Sequence, residues 1–298
     1  MKLRANGIEI EVDDSGGDGP VVLLIMGLGM QLIAWPQTFV KALVDAGFRV
    51  VRHDNRDSGL SQGFDHAGTG NLVWQGVRQR LGLPVRSAYH LQHMADDALG
   101  VLDALGVGRA HVVGASMGGM IAQRLAATAP TRVTSLVSIM SSSGARGLPG
   151  PRPEVTAALL RRPRKQDEAA LVAHSLGLLR LIGSPAYRED EGALAARLGA
   201  ALRRAYRPAG IVRQLLAIGA DADRPAVLAR IACPTLVIHG EADPLVPIAC
   251  GRDTARRIAG AQFIAVPGMG HDVPPQVERI LIGHMLPFLR AAQEKITP

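Results

Sequence analysis

Residues 112–120 read VVGASMGGM, and the part given to Ser116 in that stretch decides how the rest of the chain is read. Gly114, Ser116 and Gly118 complete a G-x-S-x-G pattern. In a chain with 34 glycines such a match also arises by chance, so it stays a hypothesis until its surroundings agree. Two readings compete: a nucleophile on a sharp turn, or a small residue in a glycine-rich loop.

The flanks favour the nucleophile. AHVVGA (110–115) has the apolar run of a buried strand, and MIAQRLAATAP (120–130) has helical spacing and stops at Pro130. Strand, turn and helix together hold a serine hydroxyl clear of a sheet edge, provided its neighbours lack bulk. Working outward, PVVLLIMG (20–27), FRVVRHD (48–54), VTSLVSIMS (133–141), PTLVIHG (234–240) and AQFIAVPG (261–268) also read as strands. Helical spacing marks 36–47, 91–107, 248–259 and 275–293. Leu3 to Asp13 reads as a hairpin turning at Asn6-Gly7, with IEIEV alternating as a half-exposed strand does.

Strands alternating with helices predict an α/β fold, a mostly parallel central sheet with helices on both faces. The alternation breaks between Gly144 and Arg230, where only helical segments are found and PGPRP (149–153) marks the entry. The expected organisation is a core of residues 1–143 and 231–298 with an inserted helical cap, residues 144–230. A second extra segment, 64–88, contains NLVWQGVRQRLGL with apolar residues at 72, 73, 77 and 81, a short amphipathic helix. Lining a pocket, packing on the sheet and making a dimer contact are all open to it.

Composition narrows the partners. Net charge is +7, and thirteen basic against six acidic residues between 145 and 213 account for the whole excess. Aromatic residues are only 3%, too few for a base-stacking platform, so nucleic acid is not the expected partner. Cys233 and Cys250 have neither C-x-x-C nor metal-ligand spacing, as expected in a reducing compartment. The first residues lack the apolar run of a signal peptide. The longest apolar run, Val21 to Met30, is interrupted by Gly27 and Gly29 and is too short to cross a bilayer. The expectation is a cytoplasmic protein without a membrane span; a homodimer stays open. His90 and His93 form H-x-x-H, but no third ligand follows at useful spacing, so no metal site is expected.

A serine is a weak nucleophile at neutral pH and needs a base, which in turn needs an orienting acid. His271, in PGMGHDVPP just after the last expected strand, is the candidate base. Asp243, in the Pro-bounded turn GEADPLVP after PTLVIHG, is the candidate acid, with Glu241 as the fallback. Each falls at the end of its own strand, where parallel sheets bind ligands. The helix after Ser116 adds amides and a positive dipole end that favour an oxyanion. Its first amide, Met117, and the Leu28 amide in the MGLG turn after VVLLIMG are the expected oxyanion-hole donors. Met26, Leu28, Met117, Trp35 and Met269 form an apolar mouth in this reading, with Trp35 equally suited to the core.

With VVLLIMGLG, VVRHDNRDSGLS, YHLQHMADDALGVLDALGVGRAHVVGASMGGMIAQ, PTLVIHGEADPLVP and PGMGHDVP all in place, the chain resembles the α/β-hydrolase family over nearly its whole length. Within that family it is most similar to bacterial carboxylesterases of the aclacinomycin methylesterase type. The resemblance implies a serine hydrolase needing no cofactor, with a helical cap over a pocket for a small hydrophobic ester. Two positions depart from the common pattern. Met26-Gly27 replaces His-Gly in the oxyanion turn, a feature the methylesterase-like group shares. Arg56-Asp57 replaces Arg-Gly in the loop after FRVVRHD. Lactone hydrolysis, C–C bond hydrolysis and cofactor-free peroxidation use the same triad and remain alternatives, as does a non-catalytic ligand-binding homologue. Serine at 116 argues against chemistry that uses an aspartate nucleophile on this fold.

Overall fold

The alternation closes into one eight-stranded sheet in the computed structural model, which describes residues 1–161, 163 and 165–295. Positions 162 and 164 of the expected cap, and 296–298 of the expected core, lie outside the described residues. The strands are β1 (Lys2–Ala5), β2 (Ile8–Asp14), β3 (Val21–Ile25), β4 (Arg49–His53), β5 (Ala110–Ala115), β6 (Val133–Ile139), β7 (Thr235–Gly240) and β8 (Gln262–Val266). Their order in the sheet is β1-β2-β4-β3-β5-β6-β7-β8. β1 pairs antiparallel with β2, and β2 antiparallel with β4; every other pairing is parallel. The hairpin turns at Asn6 and Gly7 as the sequence predicts, with φ 48° and 79°.

Eleven helices are present among the described residues. They are α1 (Gln37–Asp45), α2 (Leu72–Arg80), α3 (Leu91–Ala104), α4 (Met117–Thr128), α5 (Pro153–Leu160), α6 (Glu168–Ile182), α7 (Glu191–Arg204), α8 (Pro208–Ala220), α9 (Arg224–Val227), α10 (Ile248–Arg257) and α11 (Pro275–Glu294). α3 and α4 cover one face of the sheet, α1 and α11 the other, and each face has its own apolar core. Covered on both sides, β3, β5, β6 and β7 are buried at every residue, whereas β2 alternates between buried Ile8, Ile10, Val12 and more exposed neighbours. None of the helices is long and apolar enough to cross a membrane among the described residues.

α4 begins at Met117, three residues before the helical spacing starts. Gly118 and Gly119 are helical, as expected of a helix whose first amide is Met117. A Cβ on Gly118 would lie 2.0 Å from the Ile25 carbonyl oxygen, so its lack of a side chain serves the approach of α4 to β3.

Helices α5 to α9 all stand between β6 and β7, with no strand among the described residues there. Buried ion pairs fasten this insertion to the sheet layer. Arg213 of α8 reaches the Asp57 carboxylate with Nε and Nη2, each at 2.7 Å, and the Tyr89 hydroxyl donates to the same carboxylate at 2.7 Å. Arg124 of α4 holds Asp221, after α8, at 2.9 Å through Nε, and Arg224 closes on the same carboxylate.

This accounts for the Arg56-Asp57 departure. Asp57 has φ 66°, a conformation that favours glycine and strains a residue with a Cβ. Its side chain is fully buried and anchors α8, so the position belongs to an internal anchor and not to a solvent-facing rim.

Candidate active site

Ser116 stands between β5 and α4 with φ 55° and ψ −121°. Strain of this kind persists only where the surroundings over-determine it. A Cβ on Gly114 would fall 2.1 Å from the Gly118 carbonyl oxygen. The obstructing atoms at Gly114 and Gly118 are backbone, so neither position has room for a side chain. The Ser116 N–H donates to the Ile139 carbonyl at 2.9 Å, and its carbonyl accepts from Ser141 Oγ at 2.8 Å. With the backbone fixed from both ends, the hydroxyl meets His271: Oγ lies 2.9 Å from Nε2.

His271 Nδ1 lies 2.6 Å from Asp243 Oδ2. A carboxylate accepts, so Nδ1 carries the ring proton and Nε2 is free to accept from the Ser116 hydroxyl. The other oxygen, Asp243 Oδ1, accepts the N–H groups of Leu245 at 2.9 Å and Val246 at 2.8 Å. The turn GEADPLVP thus fixes the carboxylate with its own backbone. His239 of β7 braces the same turn: its Nε2–H donates to the Val246 carbonyl at 2.7 Å, and Nε2 lies 3.6 Å from Asp243 Oδ2. Burial holds His239 below the usual imidazole pKa, against the pull of the Val246 carbonyl and Asp243.

The base loop is fastened to the insertion. His271 N–H donates to the Ile182 carbonyl at the end of α6, at 2.7 Å, and Gly270 N–H donates to Ser184 Oγ at 2.9 Å. Ser184 in turn donates its N–H to Asp272 Oδ1 at 2.9 Å and its hydroxyl to the same oxygen at 2.5 Å. Burial pushes the Asp272 carboxyl above its ordinary value, with the Ser184 bonds opposing.

On the opposite side of Ser116 lies the turn after β3. A Cβ on Gly27 would lie 3.1 Å from Ser116 Cβ, so this turn abuts the serine. The Gly27 carbonyl accepts from Met30 N–H at 3.2 Å. Because a trans peptide places C=O and N–H on opposite sides, the Leu28 N–H of the same peptide unit points away from that bond. Met117 is the first residue of α4, and the first amides of a helix have no intrahelical acceptor.

Ser116, His271 and Asp243 are therefore brought together, with Gly27, the residue before Leu28, against Ser116. Glu241, the fallback acid, is not hydrogen-bonded to His271, because Asp243 occupies Nδ1. Met26 retains slight exposure at 8%, and Met30 is open at 43%. The structure places Trp35 and Met269 in the core and not at an open mouth, at 1% and 0% exposure. Trp35 packs on Phe39 of α1 with centroids 5.1 Å apart, because the segment before α1 turns inward over the sheet. α2 leaves Val73 and Trp74 exposed and rests beside α8, so it does not pack on the sheet. His90 and His93 are engaged with each other at the start of α3, where His90 N–H donates to His93 Nδ1 at 3.0 Å. Gln214, Ser184 and Asp272 went unnoticed in the sequence, since their partners lie 86 to 185 positions away.

Sheet order, elbow and hydrogen-bonded Ser-His-Asp line define a class, and the comparisons agree. A family model described as alpha/beta hydrolase fold matches residues 20–275. The chain belongs to the α/β-hydrolase family. It is 32% identical to the rhodomycin D methylesterase DauP of Streptomyces sp. (strain C5), over 92% of each chain. Among solved structures it is similar to the enol-lactonase from Burkholderia xenovorans LB400, with TM-score 0.74, 24% identity and coverage of 97% of this chain and 100% of that one. A thermophilic esterase from Thermogutta terrifontis superposes with TM-score 0.72 at 24% identity over 98% of both chains.

Proposed function

We propose that this chain is a serine hydrolase that cleaves a carboxylic ester of a hydrophobic small molecule. The observation that carries the reading is the continuous line of hydrogen bonds from Ser116 Oγ through His271 to Asp243, at the carboxyl edge of the parallel strands. Similarity to a rhodomycin D methylesterase supports an ester of a small alcohol. Apolar Met26, Leu28 and Met30 beside the serine support a hydrophobic acyl part. Helices within 144–230 serve as the cap in this reading, since they fasten both the base loop and the turn after β3. The two free cysteines, Cys233 and Cys250, suit a reducing compartment, and the cytoplasm is the proposed location.

The reaction runs in two halves. His271 Nε2 takes the Ser116 proton as Oγ attacks the ester carbonyl carbon. The Leu28 and Met117 amides hold the oxyanion of the tetrahedral intermediate. The intermediate collapses with loss of the alkoxide, which His271 protonates to the free alcohol, leaving Ser116 acylated. Water, deprotonated by His271, attacks the acyl carbon. Collapse of the second intermediate releases the carboxylic acid and returns the proton to Ser116. Asp243 keeps the proton on Nδ1 and stabilises the imidazolium formed in each half.

The test is hydrolysis of p-nitrophenyl esters from acetate to long acyl chains by wild type and Ser116→Ala. We expect a clear chain-length optimum and loss of at least about 10⁴-fold in kcat in the mutant. Equal rates in the two proteins would sink the triad assignment.

A further inference from the structure

The oxyanion turn is built by the core and held at Gly29 and Gln31 by the insertion. Gln214 of α8 is fully buried, and its amide makes three hydrogen bonds, all to the loops beneath it. Its Oε1 accepts Gly29 N–H at 2.8 Å. Its Nε2 donates to the Arg56 carbonyl at 2.8 Å and to Ser58 Oγ at 3.0 Å. The amide cannot flip, because flipping would set its NH₂ against the Gly29 N–H and its oxygen against the Arg56 carbonyl. α8 also presses directly on the turn: a Cβ on Gly29 would lie 2.8 Å from Ile211 Cγ1.

The other end of the turn is fastened by α7. Gln31 Nε2 donates to the carbonyls of Ala201 at 2.7 Å and Ala205 at 2.9 Å, and Arg204 donates to Gln31 Oε1 at 2.7 Å. Within the turn only the Met30-to-Gly27 bond is local. Leu28 thus sits between Met26, whose carbonyl accepts from Asn55 Nδ2 of the core at 2.8 Å, and Gly29, which is fastened to α8.

We infer that Gln214 is a positioning residue for the oxyanion hole: by fixing the Leu28–Gly29 peptide it restrains rotation of the adjoining Gly27–Leu28 peptide and so aims the Leu28 amide at the reacting carbonyl oxygen. This rests on the ester-hydrolase reading and adds to it. The insertion then does more than cover the pocket. The oxyanion hole is complete only while α8 is docked, so catalysis is tied to the seating of that helix. An amide that strays by about 1 Å loses on the order of a hundredfold in rate, whereas substrate binding through the acyl pocket is untouched. The effect belongs to kcat and not to KM.

Gln214→Met keeps the length of the side chain and removes its three hydrogen bonds. Gln214→Glu keeps an oxygen for Gly29 N–H and, as the neutral acid that full burial favours, an O–H for the Arg56 carbonyl. Wild type and both variants are compared for kcat and KM on the best p-nitrophenyl ester, for the rate at which a fluorophosphonate labels Ser116, and for thermal midpoint. The expected result is a tenfold to hundredfold fall in kcat for the Met variant, KM within about threefold, labelling slowed in proportion, and partial recovery in the Glu variant. A folded Gln214→Met enzyme with wild-type kcat and labelling rate overturns the inference. So does a rise in KM at unchanged kcat, which would make Gln214 a pocket residue. If the Met variant does not fold, Ser58→Ala decides: it removes one of the bonds that orient Gln214 and should lower kcat a fewfold at constant KM, and an unchanged kcat overturns the inference. Wild type that neither hydrolyses an ester nor labels at Ser116 refutes the ester-hydrolase reading and this inference with it. Normal labelling of wild type and Gln214→Met alike refutes only this one.

Discussion

The two sides of Ser116 are built in opposite ways. On one side, the elbow is local. Gly114, Ser116 and Gly118 lie within five residues, and backbone atoms of β3 and α4 leave no room for a side chain at either glycine. On the other side, the turn after β3 carries one hydrogen bond of its own, is tied to the core through Asn55, and is fastened at Gly29 and Gln31 to α7 and α8, more than 160 residues further along the chain. The base loop is intermediate: strand β8 delivers it to the carboxyl edge, and Ile182 and Ser184 at the end of α6 fix its backbone. Steric exclusion by backbone tolerates no substitution and is set by packed backbone, the Gly118 carbonyl at Gly114 and the β3 carbonyl of Ile25 at Gly118. A turn held by side-chain amides is adjustable, and it depends on the insertion being seated.

Changes in the local half should strike the rate and spare the fold. After the loss of Ser116 itself, the largest effect is expected for Asp243→Asn. It keeps a hydrogen bond to His271 but imposes the wrong tautomer, and kcat should fall by roughly 10⁴ with a near-normal thermal midpoint. A loss below about tenfold in stopped-assay kcat would show that Asp243 does not orient the base.

Changes at the seat of the insertion should strike stability first. Arg213→Met leaves the Asp57 carboxylate buried with Tyr89 and the Phe64 N–H but no cation. Breaking a buried pair by removing one partner costs about 3–5 kcal/mol. Denaturant unfolding should show that loss, and kcat should fall with it as α8 shifts on the oxyanion turn. Full stability, or lost stability with an untouched kcat, would separate the insertion from the chemistry and break the comparison.

Acid should sharpen the contrast with a smaller effect. His53 of β4 and His111 of β5 are pushed down to about 4 by burial, so both are neutral when folded. Their folded pKa is depressed, so the unfolded chain binds more protons. The stability they contribute is whole above about pH 6.5, the ordinary imidazole value, and is lost as pH falls toward 4. Each loss is a few kcal/mol at most. Burial of Asp57 works to raise its pKa, but the Arg213, Phe64 and Tyr89 bonds outweigh it and hold the carboxyl below its ordinary value. That anchor is retained until the pH drops below the usual carboxylate range. Unfolding midpoints measured from pH 7 to pH 3 should therefore decline first in the histidine range and again below about pH 4. A flat profile down to pH 4 would contradict the assignment of His53 and His111 as buried neutral groups.

What could be read in advance follows the same division. Strand runs, the Asn6-Gly7 hairpin, the order of Ser116, Asp243 and His271, and the helical stretch between β6 and β7 are all periodicity or turn chemistry within short windows. Side-chain volume and backbone preference act there directly. Trp35 stays open in the sequence because an apolar residue near a turn satisfies a pocket wall and a core equally well, and only the course of the segment before α1 chooses between them. The reason for Asp57 in place of glycine is not legible in the sequence, because the sequence shows its neighbours and not Arg213, 156 positions away.

By itself the sequence determined the strands and helices, the elbow motif and the residue types able to perform the chemistry, because each is specified by periodicity and turn chemistry within short windows. Only the tertiary structure decided what holds the Leu28 amide and the His271 loop in place. Gln214, Ser184 and Arg213 are ordinary polar residues on ordinary helices until burial makes each of their hydrogen bonds obligatory.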